Sequence, residues 1–143
     1  MWYNRYMKSL DSKTYKKTAT TVSLIRYHFV FCPKYRRKIF LIPGVEEAFK
    51  KYVTEQCEAL GIDILAMECH IDHVHMFVSA VPQLSIPEIM QKIKGCTSHT
   101  LRDEFRELSG MSSLWTRSYF VSTAGDVSAR TIQAYVESQK SKP

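Results

Sequence analysis

Two β-rich runs, residues 62–69 and 73–80, are separated by only His70-Ile71-Asp72. A link that short joins antiparallel neighbours, because a parallel pair needs a crossover of a dozen or more residues. The middle of the chain is therefore a hairpin, and the other elements have to be arranged around it. Upstream, Val45, Phe49, Tyr52, Val53, Cys57 and Leu60 recur at helical spacing, and Gly61 stops that helix. Before it lie an apolar run at residues 20–31 and, after Pro33, the basic loop KYRRK. Downstream, Ser85-Ile86-Pro87-Glu88 has a capping serine, a proline in the first turn and a glutamate three residues on, a helix start. Ile89, Ile93, Cys96 and Leu101 carry this second helix to about Leu108, before Gly110. Residues 113–123 read as a fourth strand, and Gly125-Asp126 as the cap of a third helix over residues 127–139. The order β-α-β-β-α-β predicts an α+β fold with a ferredoxin-like, RRM-like antiparallel sheet and an additional C-terminal helix. A chain of 143 residues suits one such core. The expected division is a basic N-terminal extension, residues 1–20, and a single domain, residues 21–143.

Charge narrows the partner. The chain has 20 Lys/Arg against 14 Asp/Glu, a formal net charge of +6. Residues 1–40 hold ten of those bases and a single acid, Asp11, so the positive charge is concentrated at one end. Such asymmetry points to a polyanion, nucleic acid or an anionic membrane surface. A membrane is the weaker reading: no apolar run approaches the 18 or so residues that span a bilayer. The first 20 residues have no apolar signal core. Cys32, Cys57, Cys69 and Cys96 form no CxxC pair, which suits reduced thiols in a cytosolic protein.

The sharpest motif is Asp72-His73-Val74-His75 at the start of the third strand. Residues two apart on a strand share a face, so His73 and His75 point the same way and Val74, Met76 and Val78 face the core. Two adjacent imidazoles can supply two ligands to one metal. The competing reading is a pair of polar side chains on a solvated sheet face. By the same alternation Asp72 should face away from the pair. His70 reads as a turn residue, and His28 and His99 as structural. A metal site needs a third ligand and something to act on. Tyr135 and Gln139, four residues apart in the third helix, could present a phenol and a carbonyl oxygen to one point. Tyr135 reads equally as a core residue, because Ile132 and Val136 share part of its face.

Taken together, these segments resemble the single-tyrosine HUH transposases of small insertion sequences (the IS-two-hundred/IS-six-hundred-five group). The resemblance rests on YHFVFCPKYRRKIF, on DHVH, on WTRSYFVSTAG and on YVESQ, in that order, and spans residues 27–139. It departs at His70-Ile71, where the family commonly has a small residue and proline. The resemblance implies a prokaryotic, cytoplasmic, DNA-associated enzyme that cuts and rejoins single-stranded DNA without nucleotide triphosphates. It implies that His73, His75 and Gln139 hold one divalent cation, Mg²⁺ or Mn²⁺. It implies that Tyr135 attacks the scissile phosphate, leaving a 5′-phosphotyrosine and a free 3′-OH. It further implies a homodimer, and DNA hairpins near the element ends as the recognised feature. Lys34, Tyr35, Arg36, Arg37 and Lys38 are the candidate DNA-binding residues, a basic run interrupted by an aromatic.

Two other readings compete. A non-catalytic RRM-like binder explains the fold and the charge, but not DHVH together with Tyr135 and Gln139. A zinc hydrolase would use an H-x-H-x-D-H run, yet Glu68 stands where its first histidine belongs.

Overall fold

The computed structural model describes residues 15–123 and 127–143. The central hairpin forms as expected: strand β4 (Asp63–Cys69) pairs antiparallel with strand β5 (Val74–Ala80). Its turn is closed by a hydrogen bond from the His70 amide to the His73 carbonyl, 2.9 Å. Strand β3 (Ile25–Phe31) lies on the other side of β5, and strand β6 (Phe120–Ser122) pairs with β3. The four-stranded sheet thus runs β4-β5-β3-β6, every pair antiparallel.

Helices α1 (Val45–Leu60) and α2 (Ile86–Glu104) pack on one sheet face. Phe29 and Phe31 of β3, with Val74, Met76, Val78 and Ala80 of β5, are buried there against Val45, Phe49 and Val53 of α1 and Ile89, Ile93 and Leu101 of α2. Each of the larger of these side chains contributes about 1.5–3 kcal/mol by leaving water. The local signals act as read. Ser85 Oγ accepts from the Glu88 amide (3.2 Å), and Glu88 Oε1 accepts from the Ser85 amide (2.9 Å). Gly61 ends α1 at φ 75°, a left-handed conformation that a side chain would strain.

Helix α3 (Ala129–Ser138) covers part of the opposite sheet face. Its Val136, Ile132 and Tyr135 pack with Val30, Cys32 and Phe120. Beside them Leu65, Ala66 and Phe77 form a small cluster, where a register shift between Ile64 and Ala66 interrupts the β4–β5 ladder. The capping role expected of Gly125-Asp126 falls outside the described residues. Ser128 caps α3 instead, its Oγ accepting from the Thr131 amide at 3.1 Å.

The strand expected over residues 113–123 is mostly irregular. Trp115 makes one isolated bridge to Pro33, and regular pairing resumes only at Phe120. Between them the backbone turns aside to meet Lys94 on α2. The Lys94 ammonium donates to the carbonyls of Thr116 (2.7 Å), Arg117 (3.4 Å) and Ser118 (3.1 Å). Those carbonyls are spent on Lys94 rather than on a ladder. At the other end, part of the basic extension is paired: Lys16–Lys17 and Val22–Ser23 form a two-stranded ribbon (β1 and β2). Residues 1–14 of that extension lie outside the described residues.

All four cysteines are free thiols. Burial pushes Cys32 and Cys57 up to about 12, well above an ordinary thiol. A folded-state pKa raised above the unfolded value gives stability that is complete below pH 9 and is lost as pH rises towards 12. Denaturant titrations between pH 8 and 11 should therefore show stability falling from about pH 9. An unfolding free energy that stays flat across that window would contradict the burial of these thiols.

Candidate active site

Strand alternation divides β5 as the sequence predicts: Val74, Met76 and Val78 face the core, while His75 and Phe77 point to the α3 side. His73, just before the strand, joins His75 at a cavity of about 520 Å³. The strand side of this cavity is formed by His70, Asp72, His73, His75, Glu68 and Arg36. The helix side is formed by Ala129, Ile132, Gln133, Val136 and Glu137 of α3.

Asp72 does not face away from the pair. Because the turn ends at His73, alternation does not extend back to Asp72. Its Oδ1 lies 3.1 Å from His73 Nδ1, and its Oδ2 accepts from Arg36 Nε at 2.9 Å. Burial pushes the Asp72 carboxyl up, but the hydrogen bonds from His73 and Arg36 outweigh it and hold the pKa below the ordinary value. A carboxylate on Nδ1 fixes the ring's orientation and leaves Nε2 as the ligand nitrogen. His70 stacks on His73, ring centroids 4.4 Å apart, and pairs with Glu68 at 3.3 Å.

His28 belongs to the site, which sequence reading missed. It sits on β3 opposite Phe77, stacks on that ring at 4.3 Å, and its Nδ1 lies 3.1 Å from His75 Nε2. The two histidines are 47 residues apart and meet only through the β3–β5 register. A lone histidine flanked by aromatics in a strand carries no local signal of that. Burial lowers the proton affinity of both His73 and His75, with Asp72 partly offsetting it at His73 and His28 adding to it at His75. Both imidazoles are therefore biased to the neutral, metal-binding form.

Tyr135 and Gln139 are brought together, but away from this cavity. Gln139 is buried at the C-cap of α3, and its Oε1 accepts from Ser118 Oγ at 2.7 Å. The Tyr135 hydroxyl is buried beside the same segment, and among the described residues no group meets it in good hydrogen-bond geometry, though the Ser118 and Thr116 hydroxyls lie near enough to act on it. Burial pushes its pKa up to about 12, with the Ser118 and Thr116 hydroxyls partly offsetting the rise. The helix face that meets the histidines instead carries Gln133 and Glu137. Among the described residues no three His, Cys, Asp or Glu side chains are gathered so that they could hold a metal ion. His73 and His75 supply the imidazole part of a divalent site, His73 oriented by Asp72 and His75 with its Nε2 engaged by His28 at 3.1 Å. The oxygen ligand expected from Gln139 is engaged with Ser118.

Of the basic run, Arg36 alone turns inward. Besides Asp72, its Nη1 reaches the Val136 carbonyl at 3.4 Å and Glu137 Oε1 at 3.5 Å. It therefore ties the histidine turn to the tyrosine helix. Lys34, Tyr35 and Arg37 line a separate cavity, and Lys38 is exposed.

Comparison with known proteins places this arrangement. The family described as IS200-like transposase matches residues 21–139. The ISDra2 transposase TnpA of Deinococcus radiodurans is 31% identical over 130 residues, covering 89% of this chain and 92% of that one. The transposase of insertion sequence element IS200 from Salmonella typhimurium is 35% identical over 127 residues, covering 87% and 82%. A crystal structure of a Deinococcus radiodurans chain, described as a candidate transposase, superposes with a TM-score of 0.79 at 29% identity, covering 87% of this chain and 97% of that one. A REP-associated tyrosine transposase bound to a REP hairpin shares the fold at a TM-score of 0.55 and 10% identity, over 85% and 68% of the two chains. No helix among the described residues is long and apolar enough to cross a membrane. With its profile matched from residue 21 to residue 139, the chain belongs to the IS200-like transposase family.

Proposed function

We propose that this transposase cleaves and rejoins single-stranded DNA at insertion-sequence ends, with Tyr135 as the nucleophile. The observation that carries the reading is the pair of imidazoles, His73 and His75, set together at a cavity that the helix bearing Tyr135 covers. The Tyr135 oxygen attacks the scissile phosphorus and a Tyr–O–P bond forms. The bond from phosphorus to the 3′-oxygen breaks, and that oxygen takes up the proton that the phenol gives up. The products are a 5′-phosphotyrosine and a free 3′-OH. Because the new ester keeps the phosphoryl-transfer potential, another 3′-OH can reverse the step and join a different end. No external energy source is needed.

His73 and His75, with Gln139 once it leaves Ser118, would hold a divalent cation, Mg²⁺ or Mn²⁺. That ion supplies charge neutralisation at the phosphate oxygens. Asp72 keeps the His73 ring oriented. Tyr135 must leave its apolar seat to reach a pair of histidines, its own or those of a second copy in a homodimer. Where it now sits Tyr135 does not line the histidine cavity, so attack there requires α3 to move. The ties that hold α3 over the histidines run through Arg36, to the Val136 carbonyl and to Glu137.

The test uses labelled single strands carrying the insertion-sequence ends, with the full chain and Mn²⁺, resolved on denaturing gels. A shortened strand and a protein-linked strand are expected, and EDTA abolishes both while hairpin binding persists. DNA that is bound but left uncut, with no effect of EDTA, would support the non-catalytic binder instead.

A further inference from the structure

The turn after Pro33 is strained in a way the reaction at the histidines does not require. Tyr35 and Arg36 both adopt left-handed backbone, φ 58° and φ 50°, and neither is glycine. Bulky residues rarely hold that conformation, so surrounding contacts must impose it. Those contacts are present: the Tyr35 amide donates to the Lys142 carbonyl at 2.7 Å, and the Arg36 amide to the Pro33 carbonyl at 2.9 Å. The Arg36 side chain is pinned on Asp72 and Glu137.

The strain sends neighbouring side chains apart. Arg36 goes to the histidine turn, whereas Tyr35 is 54% exposed, although its ring is a large apolar surface. The Arg37 guanidinium lies 6.0 Å from the centre of that ring. Lys34, Tyr35 and Arg37 border a cavity of about 240 Å³, closed on its other side by residues 110–113. Lys34 Nζ reaches Ser112 Oγ at 3.5 Å, and no carboxylate lines the cavity. Among the described residues neither Lys34 nor Arg37 has an acidic partner within ion-pair distance. An exposed aromatic ring with Arg37 over it and Lys34 lining the same hydroxyl-bearing cavity, both cations unneutralised, matches what an unpaired nucleotide offers: a π-face and adjacent phosphates.

We propose that Tyr35 is the stacking platform for one unpaired base of a DNA strand, whose adjacent phosphates are held by Lys34 and Arg37. The proposal rests on the reading that the chain binds single-stranded DNA. It adds a site distinct from the histidine cavity and separates Tyr35, Lys34 and Arg37 from Arg36, which positions the tyrosine helix instead.

The test measures binding of a fluorescent oligothymidylate, and of an abasic strand of equal length, to the full chain across a salt series. Tyr35→Ala should weaken oligothymidylate binding by about 5- to 100-fold with no change in salt slope. Tyr35→Phe should stay within about twofold of the parent. Lys34→Ala and Arg37→Ala should each reduce the log–log salt slope by about 0.7, the loss of one single-strand phosphate contact. On the abasic strand Tyr35→Ala should cost nothing, because there is no base to stack. Equal losses on both strands, or parent-like binding by Tyr35→Ala, would overturn the stacking site while leaving strand binding in place. Failure of the parent chain to bind oligothymidylate at all would overturn the stacking site, and failure to bind the insertion-sequence ends as well would overturn the single-strand reading beneath it.

Discussion

Tyr135→Phe is expected to abolish the protein-linked DNA species and to leave the folded chain as stable as the parent, or slightly more so. Both halves follow from where the hydroxyl sits. As the proposed nucleophile it has no substitute in phenylalanine, so the covalent product should fall below detection on a denaturing gel. As a structural group it is buried and, among the described residues, meets no partner in good hydrogen-bond geometry, and a polar atom in that state costs folding free energy. Removing it keeps the ring packed among Val30, Cys32, Ile132 and Val136 while relieving that penalty, a gain of up to about 1 kcal/mol. Denaturant unfolding of the two proteins side by side measures the second half. A variant clearly less stable than the parent would show that the hydroxyl is bonded in the folded chain. A variant that still forms the adduct would remove Tyr135 as the nucleophile. The pairing of no activity with undiminished stability marks a group retained for chemistry rather than for the core.

The histidines should give the second large effect. His73→Ala and His75→Ala are each expected to lower the rate of strand cleavage at least about a hundredfold in Mn²⁺. DNA affinity measured in EDTA should remain within about twofold, since the cationic residues at the Tyr35 turn are untouched. The two variants should differ in stability. His75 lies against His28, rings stacked at 5.2 Å, so its truncation opens a gap inside the sheet face. His73 sits in the turn, and its loss frees Asp72, which keeps Arg36, and the half-exposed His70 ring stacked on it. Unfolding midpoints and cleavage rates recorded on the same preparations separate the two effects. A His73→Ala protein that cuts at the parent rate would contradict a role for the pair in the reaction.

What could be read from the sequence was what local chemistry decides. The three-residue link fixed the hairpin, Ser85 to Glu88 fixed the start of α2, and period-two alternation set His75 apart from the core residues of β5. What could not be read depended on partners far along the chain. Residues 113–119 have the composition of a strand, but the carbonyls of Thr116, Arg117 and Ser118 are taken by Lys94 from another helix, and no pattern inside the segment announces that. His28 meets His75 only through sheet register. Arg36 looks like the rest of its basic run, and only a left-handed backbone turns it inward. Asp72 could be misplaced because alternation holds within a strand and stops at its turn. Helical spacing puts Tyr135 and Gln139 on one side of α3, yet spacing does not reveal that Gln139 is held by Ser118 and that neither residue lines the histidine cavity.

The central claim is that Tyr135 becomes bonded to DNA. Trapping the reaction of the full chain with a single-stranded insertion-sequence end in Mn²⁺, digesting the protein, and sequencing the nucleotide-bearing peptide by mass spectrometry tests it most directly. The account predicts one modified peptide, from α3, carrying a 5′-phosphate ester on Tyr135. Cleaved DNA with an ester on another residue, or cleavage with no protein-linked product at all, would contradict it.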